Sequence, residues 1–255
     1  MTERCDYGWA RRAPARLMRE VILMGALRPI MAFYTRRRVG GGAHVAGLAG
    51  PVIFVANHSS HMDTPMILCT LPWRLRRRTA VAAAADYFYR RRSRALAVSL
   101  AFNTVPVERH GGGPRPPSTE HVEQLLDDGW SVLIFAEGTR SRDGTVGRLR
   151  SGAAVMAAHH RLPIVPVYVS GTHAAMPVGQ WWPRRRAGRA RGGRHPVQVS
   201  FGPPLHVDGC DERLAVMERI RLFFAESGAR TTPDERALRR GERAVARRAV
   251  RGGDA

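Results

Sequence analysis

The segment N-H-S-S-H-M-D, Asn57 to Asp63, sets a histidine and an aspartate five residues apart at the end of the apolar run P-V-I-F-V-A (51 to 56). A histidine held by an aspartate can take a proton from a hydroxyl near neutral pH, the aspartate fixing the tautomer and stabilising the imidazolium. Neither regular element brings His58 and Asp63 together. Five residues turn an ideal helix through about 140°, and an odd offset on a strand points to opposite faces. The pair therefore meets only if the chain bends between them. Polar Asn57 to Ser60 supply a bend, and Thr64-Pro65 reads as an N-cap and first helical residue. The segment predicts strand, turn, helix start.

Other strand ends carry groups that suit this chemistry. After T-V-P-V (104 to 107) come Glu108 and Arg109, and S-V-L-I-F-A (131 to 136) runs into Glu137, Gly138, Thr139, Arg140 and Ser141. Arg109 and Arg140 can hold a phosphate by charge-assisted hydrogen bonds and so position a hydroxyl beside His58. The G-x-S-x-G elbow is lacking, which favours direct transfer over a covalent enzyme intermediate. His61 is expected to line the pocket or face solvent, and His44, His110, His121, His159 and His160 default to structure. Taken singly, the histidine–aspartate spacing also arises by chance, and E-G-T-R also suits a turn closed by a salt bridge. No metal is expected, because His-x-x-x-His spacing is absent around 58 to 63. No P-loop or dinucleotide fingerprint follows a strand.

These groups need a frame, and the pattern supplies one. Strands are predicted at 51 to 56, 79 to 84, 104 to 107, 131 to 136, 164 to 169 and 197 to 201. Helices are predicted near 65 to 71, 86 to 102, 118 to 129, 151 to 160 and 211 to 226. Alternation of this kind implies an α/β fold with a mostly parallel central sheet covered by helices on both faces, and a site off the carboxyl ends of the strands. At 255 residues one core is expected, divided as an N-terminal segment (1 to 38), a main domain (39 to 226) and an arginine-rich helix or tail (227 to 255). P-R-R-R-A-G-R-A-R-G-G-R-H (183 to 195) reads as an added loop with nothing to bury.

The formal charge of +20 comes entirely from arginine, there being no lysine. Such a surface attracts phosphates on lipids, coenzymes or nucleic acids. The three cysteines are too few and too scattered for a disulfide framework and fit a reducing cytoplasm. V-I-L-M-G-A-L (21 to 27) and I-M-A-F-Y (30 to 34) are apolar but broken by Arg28-Pro29, short of the ~18 uncharged residues that span a bilayer. With arginines before and after, the stretch predicts a helix kinked at Pro29 and lying in a membrane interface, the alternative being an ordinary core helix.

Four blocks in this order resemble the glycerophospholipid acyltransferase family typified by 1-acylglycerol-3-phosphate (lysophosphatidic acid) acyltransferase: N-H-S-S-H-M-D, N-T-V-P-V-E-R (103 to 109), F-A-E-G-T-R-S (135 to 141) and L-P-I-V-P-V (162 to 167). G-T-H-A-A-M-P (171 to 177) and F-G-P-P-L (201 to 205) are also similar to family segments. The resemblance runs from about residue 20 to 226. Asn103 replaces a usual glycine, Ala136 a common proline, and L-R-S-G (149 to 152) an aromatic and lysine pair before glycine, so that Arg150 takes over the lysine's charge.

The resemblance implies His58 as general base, Asp63 as its orienting partner, and Arg109, Glu137, Gly138, Thr139, Arg140 and Arg150 as the acceptor-phosphate region. It implies transfer of a fatty acyl group from acyl-CoA or acyl carrier protein, a co-substrate rather than a cofactor, to a lysophospholipid hydroxyl. The favoured acceptor is 1-acylglycerol-3-phosphate; the rivals are glycerol 3-phosphate or another lyso-lipid. The expected place is the cytoplasmic face of the cell membrane, peripheral or monotopic, against anionic lipids. A non-catalytic protein binding anionic lipid or nucleic acid is the reading from another class. No nucleic acid is expected, since no aromatic residues interleave the basic loop.

Overall fold

The computed structural model describes residues 8–84, 92–107, 117–187, 193–207 and 212–231. Helix α1 (Ala13–Glu20) passes through a π-helical stretch, Val21–Leu27, into α2 (Arg28–Tyr34). Pro29 accounts for the switch. It has no N–H and crowds the carbonyl four residues back, and the wider turn, in which the Arg28 N–H bonds to the Leu23 carbonyl, makes room for the ring. Leu23 and Met31 face the core. Among the described residues no helix is long and apolar enough to cross a membrane.

Strand β1 (Thr35–Gly40) follows at once. The arginines Arg36 to Arg38, expected as the basic end of the helix, are instead an edge strand. An edge strand needs few apolar side chains, and charge there discourages pairing with other chains. Arg37 turns inward, half-buried, and donates to Thr70 Oγ1 at 3.3 Å. Arg36 and Arg38 point outward and are exposed.

From α3 (Ala43–Ala46) the chain enters β2 (Ile53–Ala56), α4 (Asp63–Leu68), α5 (Trp73–Arg77) and β3 (Thr79–Ala84). Then come α6 (Arg92–Phe102), β4 (Thr104–Val107), α7 (Pro117–Asp127) and β5 (Ser131–Phe135). The last described elements are α8 (Gly152–His160), β6 (Ile164–Ser170), α9 (Thr172–Ala175), β7 (His195–Phe201) and α10 (Arg213–Glu226). The sheet order is β1-β7-β6-β2-β5-β3-β4. β6, β2, β5, β3 and β4 run parallel; β7 opposes β6, and β1 runs with β7.

Alternate residues of β2 serve opposite faces. Phe54 and Ala56 pack with Met66, Ile67 and Leu23 on one side, while Ile53 and Val55 pack with α7, α8 and α10 on the other. Burial on both faces is why β2 reads as an unbroken apolar run. Asn103 ends α6 with a φ of 53°. This is the left-handed turn that the usual glycine would make, and asparagine is among the residues that tolerate it. Its N–H bonds to Ser99, its carbonyl accepts from Val81, and its side-chain amide donates to Thr79.

The basic loop is more anchored than its composition suggested. Arg184 N–H donates to the Ala175 carbonyl, and Arg186 and Gly193 exchange two backbone bonds. Residues 188–192 and the tail from 232 lie outside the described residues.

Candidate active site

β2 ends in the middle of the sheet, between β6 and β5, and the segment beyond it is fastened to both neighbours. The Asn57 amide donates to the Val169 carbonyl at 2.9 Å and accepts from its N–H at 2.7 Å. In effect a side chain continues the ladder to β6. On the other side, His58 N–H donates to Glu137 Oε1 at 2.9 Å, and its carbonyl accepts from Ser141 N–H at 2.8 Å. Both backbone groups of His58 are thus set by the chain leaving β5.

The bend that His58 and Asp63 require is built around the carboxylate. Asp63 Oδ2 accepts from Ser59 N–H at 2.7 Å and Ser60 N–H at 2.8 Å, and stands 2.9 Å from His58 Nδ1. Thr172 Oγ1 donates to the other oxygen, Oδ1, at 2.5 Å. Asp63 is fully buried, and these bonds offset the cost of burying its charge. Because a carboxylate only accepts, the shared proton sits on Nδ1, leaving the Nε2 lone pair of His58 for a substrate. The imidazole stacks on Phe135 with ring centres 3.9 Å apart, and 16% of the side chain is accessible.

His58 lines an open cavity of about 580 Å³. Much of the wall is apolar, with Ile30 and Met31 from α2, Val98 and Phe102 from α6, and Met156 from α8. The same wall carries Arg94, Gly138, Thr139, Arg140 and Arg150. Gly138 has a φ of +69°, and a Cβ there would come within 3.0 Å of Arg150 Nε. The glycine therefore lets the turn form and lets the guanidinium lie against it. His61, also in the wall, stacks on Trp181 at 5.6 Å. Burial, followed by the charge of Arg140, lowers its pKa to about 4, so it is neutral at pH 7.

The structure brings together six of the eight residues expected from sequence at the site: His58, Asp63, Gly138, Thr139, Arg140 and Arg150. Glu137 sits behind them. Its oxygens accept from the N–H groups of His58 and Gly147, and a carboxylate would meet a phosphate as a like charge. Its geometry is that of a brace between two strand ends. Burial raises its pKa, opposed by those two N–H bonds. Arg109 lies outside the described residues. Sequence reasoning gave no role to Thr172, although it stands in the quoted G-T-H-A-A-M-P. It also missed the Asn57 clamp and the Trp181 wall, which no spacing within 57 to 63 announces.

Fold and site define an α/β protein in which a buried aspartate holds a histidine at the wall of a largely apolar cavity that also carries arginines. The family model described as Acyltransferase matches residues 36–170, and the chain belongs to that family. The match contains every site residue expected from sequence and stops two residues before Thr172. Over 127 residues the chain is 32% identical to the 1-acyl-sn-glycerol-3-phosphate acyltransferase of Pseudomonas aeruginosa, covering 48% of this chain and 45% of that one. The enzyme of that name from Brassica napus is 29% identical over 130 residues, covering 51% and 36%. The alpha form from Bos taurus is 28% identical over 182 residues, covering 71% and 58%. The matches thus span about a third to three fifths of these relatives' lengths. The crystal structure of the 1-acyl-sn-glycerophosphate (LPA) acyltransferase PlsC from Thermotoga maritima shares the fold, with a TM-score of 0.63 at 22% identity over 89% of this chain and 85% of that one.

Proposed function

We propose that the protein is a peripheral membrane acyltransferase that moves a fatty acyl group from a thioester, acyl-CoA or acyl-ACP, to the hydroxyl of 1-acylglycerol-3-phosphate, giving phosphatidic acid. The observation that carries this reading is that His58 shares one cavity with apolar side chains and with Arg140 and Arg150. That combination suits an acceptor with an acyl tail, a reacting hydroxyl and a phosphate.

In this mechanism Arg140 and Arg150 hold the phosphate, with Arg109 as a third candidate, and bring the hydroxyl to His58 Nε2. Nε2 takes the hydroxyl proton as the oxygen attacks the thioester carbonyl, and Asp63 stabilises the imidazolium. The tetrahedral intermediate collapses with cleavage of the C–S bond, and the leaving thiolate takes the proton back from Nε2. The protein returns to its starting state with no covalent intermediate.

The test is turnover by the purified protein given lysophosphatidic acid and acyl-CoA or acyl-ACP, with phosphatidic acid identified by mass spectrometry. Acylation of glycerol 3-phosphate in its place would shift the acceptor. Absence of turnover on any lyso-lipid with either donor would overturn the reading.

A further inference from the structure

A second concavity, of about 620 Å³, lies on the same rim of the sheet as His58 but beyond β6. Because β7 and β1 oppose β6, its last residue lies beside their middles and their first residues run on past its end: Ser170 pairs with Gln198, and Gln198 with Arg38. Arg36 and Arg38 from β1 meet Arg186 and Arg194 from the basic loop there. Among the described residues no carboxylate lines this cleft. Four arginines lining one cleft carry like charge, and a phosphate-bearing anion offsets it with the forked geometry arginine prefers.

The surroundings select the source of that anion. Two chain segments pass from exposed aromatic residues straight into the cleft: Phe33 leads to Arg36, and Trp181-Trp182 to Arg186. Phe33 is 55% exposed, Trp181 66% and Trp182 60%. Arg185 lies over the Phe33 ring at 4.7 Å, and Trp182 Nε1 donates to the Tyr34 hydroxyl at 2.8 Å, so the two segments are joined. Apolar aromatic surface giving way to arginine is the order met in crossing from acyl chains to headgroups. Trp181 and Trp182 also line the catalytic cavity, so this surface borders its mouth.

We propose that Arg36, Arg38, Arg186 and Arg194 form a site for the phosphate headgroup of an anionic phospholipid in the membrane on which the protein rests. At a strand spacing of ~4.8 Å, β1 lies roughly 14 Å from β2. A lipid held in the cleft fixes one edge of the rim to the headgroup layer and turns the cavity mouth, three strands away, toward the bilayer. The site extends the membrane part of the proposed function and is independent of turnover.

Vesicle co-sedimentation at fixed salt tests it, with phosphatidylcholine vesicles with and without phosphatidylglycerol. The variant with Arg36, Arg38, Arg186 and Arg194 each changed to glutamine is expected to lose about tenfold or more of its preference for anionic vesicles while binding neutral ones as before. A charge-matched variant, with Arg78, Arg161, Arg219 and Arg230 changed to glutamine, is expected to lose less than about threefold. Arg186→Gln with Arg194→Gln leaves β1 intact and should lose about threefold. His58→Ala should bind as the unmodified protein does, whatever becomes of catalysis. Equal losses in the two fourfold variants, or no loss in the loop pair, would overturn the site. So would displacement from anionic vesicles by coenzyme A or glycerol 3-phosphate, which would make the cleft a site for soluble phosphates.

Discussion

Thr172 donates to Asp63 Oδ1 at 2.5 Å while His58 engages the opposite oxygen, so a residue just past β6 sets the carboxylate that orients the catalytic candidate at the end of β2. Thr172→Val keeps the shape and removes the donor, leaving a buried carboxylate oxygen short of its bond. The expected result is a stability loss of about 1.5–3 kcal/mol by chemical denaturation. A fall of about tenfold or more in kcat with little change in KM should accompany it. Thr172→Ser restores the hydroxyl and should recover most of both.

His61 makes stability depend on pH. Its folded pKa, about 4, lies below the ordinary value of 6.5, so between these values the unfolded chain binds the proton that the folded protein excludes. Its contribution is therefore fully present above pH 6.5 and is lost as pH falls toward 4. Denaturation midpoints measured from pH 7 to pH 4 should fall less steeply for His61→Gln than for the unmodified protein. Parallel curves would show that His61 is not excluding the proton.

Gly138 and Arg150 form one unit in the cavity wall. Gly138→Ala places a side chain at a φ of +69° and 3.0 Å from Arg150 Nε. A cost of roughly 1–2 kcal/mol is expected from the backbone alone. The displaced guanidinium should raise KM for the phosphate-bearing acceptor severalfold. Arg150→Gln should raise KM similarly without the stability loss, which separates the two effects in steady-state kinetics and thermal melts.

The parts legible in the sequence were those that one segment specifies by itself. The His58–Asp63 bend followed from spacing, most strands from their apolar runs, and Arg140 from its place after β5, while Arg150 came only through the family resemblance. Long-range partners were not legible. Nothing near Asp63 points to Thr172, 109 residues away, or to Val169 as the partner of Asn57. β1 escaped notice because its strand character comes from pairing with β7, while its composition reads as solvated charge. Glu137 shows the opposite limit. The family resemblance implied a place in the phosphate region, and its two backbone partners are those of a brace.

Asn103 offers a test of the left-handed turn before β4. Asn103→Gly and Asn103→Ala both remove the amide bond to Thr79, but only alanine is strained at this φ. The alanine protein should be less stable than the glycine protein by about 1 kcal/mol. Equal stability in urea would mean that the backbone angle does not strain alanine at this position.

The central claim is that His58 Nε2 removes the acceptor's proton. The most direct measurement compares phosphatidic acid formation by the unmodified protein and by His58→Ala, each with lysophosphatidic acid and saturating thioester, after matched melting transitions have shown both to be folded. Loss of general-base catalysis should lower kcat by about 10²–10⁴-fold. Turnover by His58→Ala within about tenfold of the unmodified protein would contradict the account.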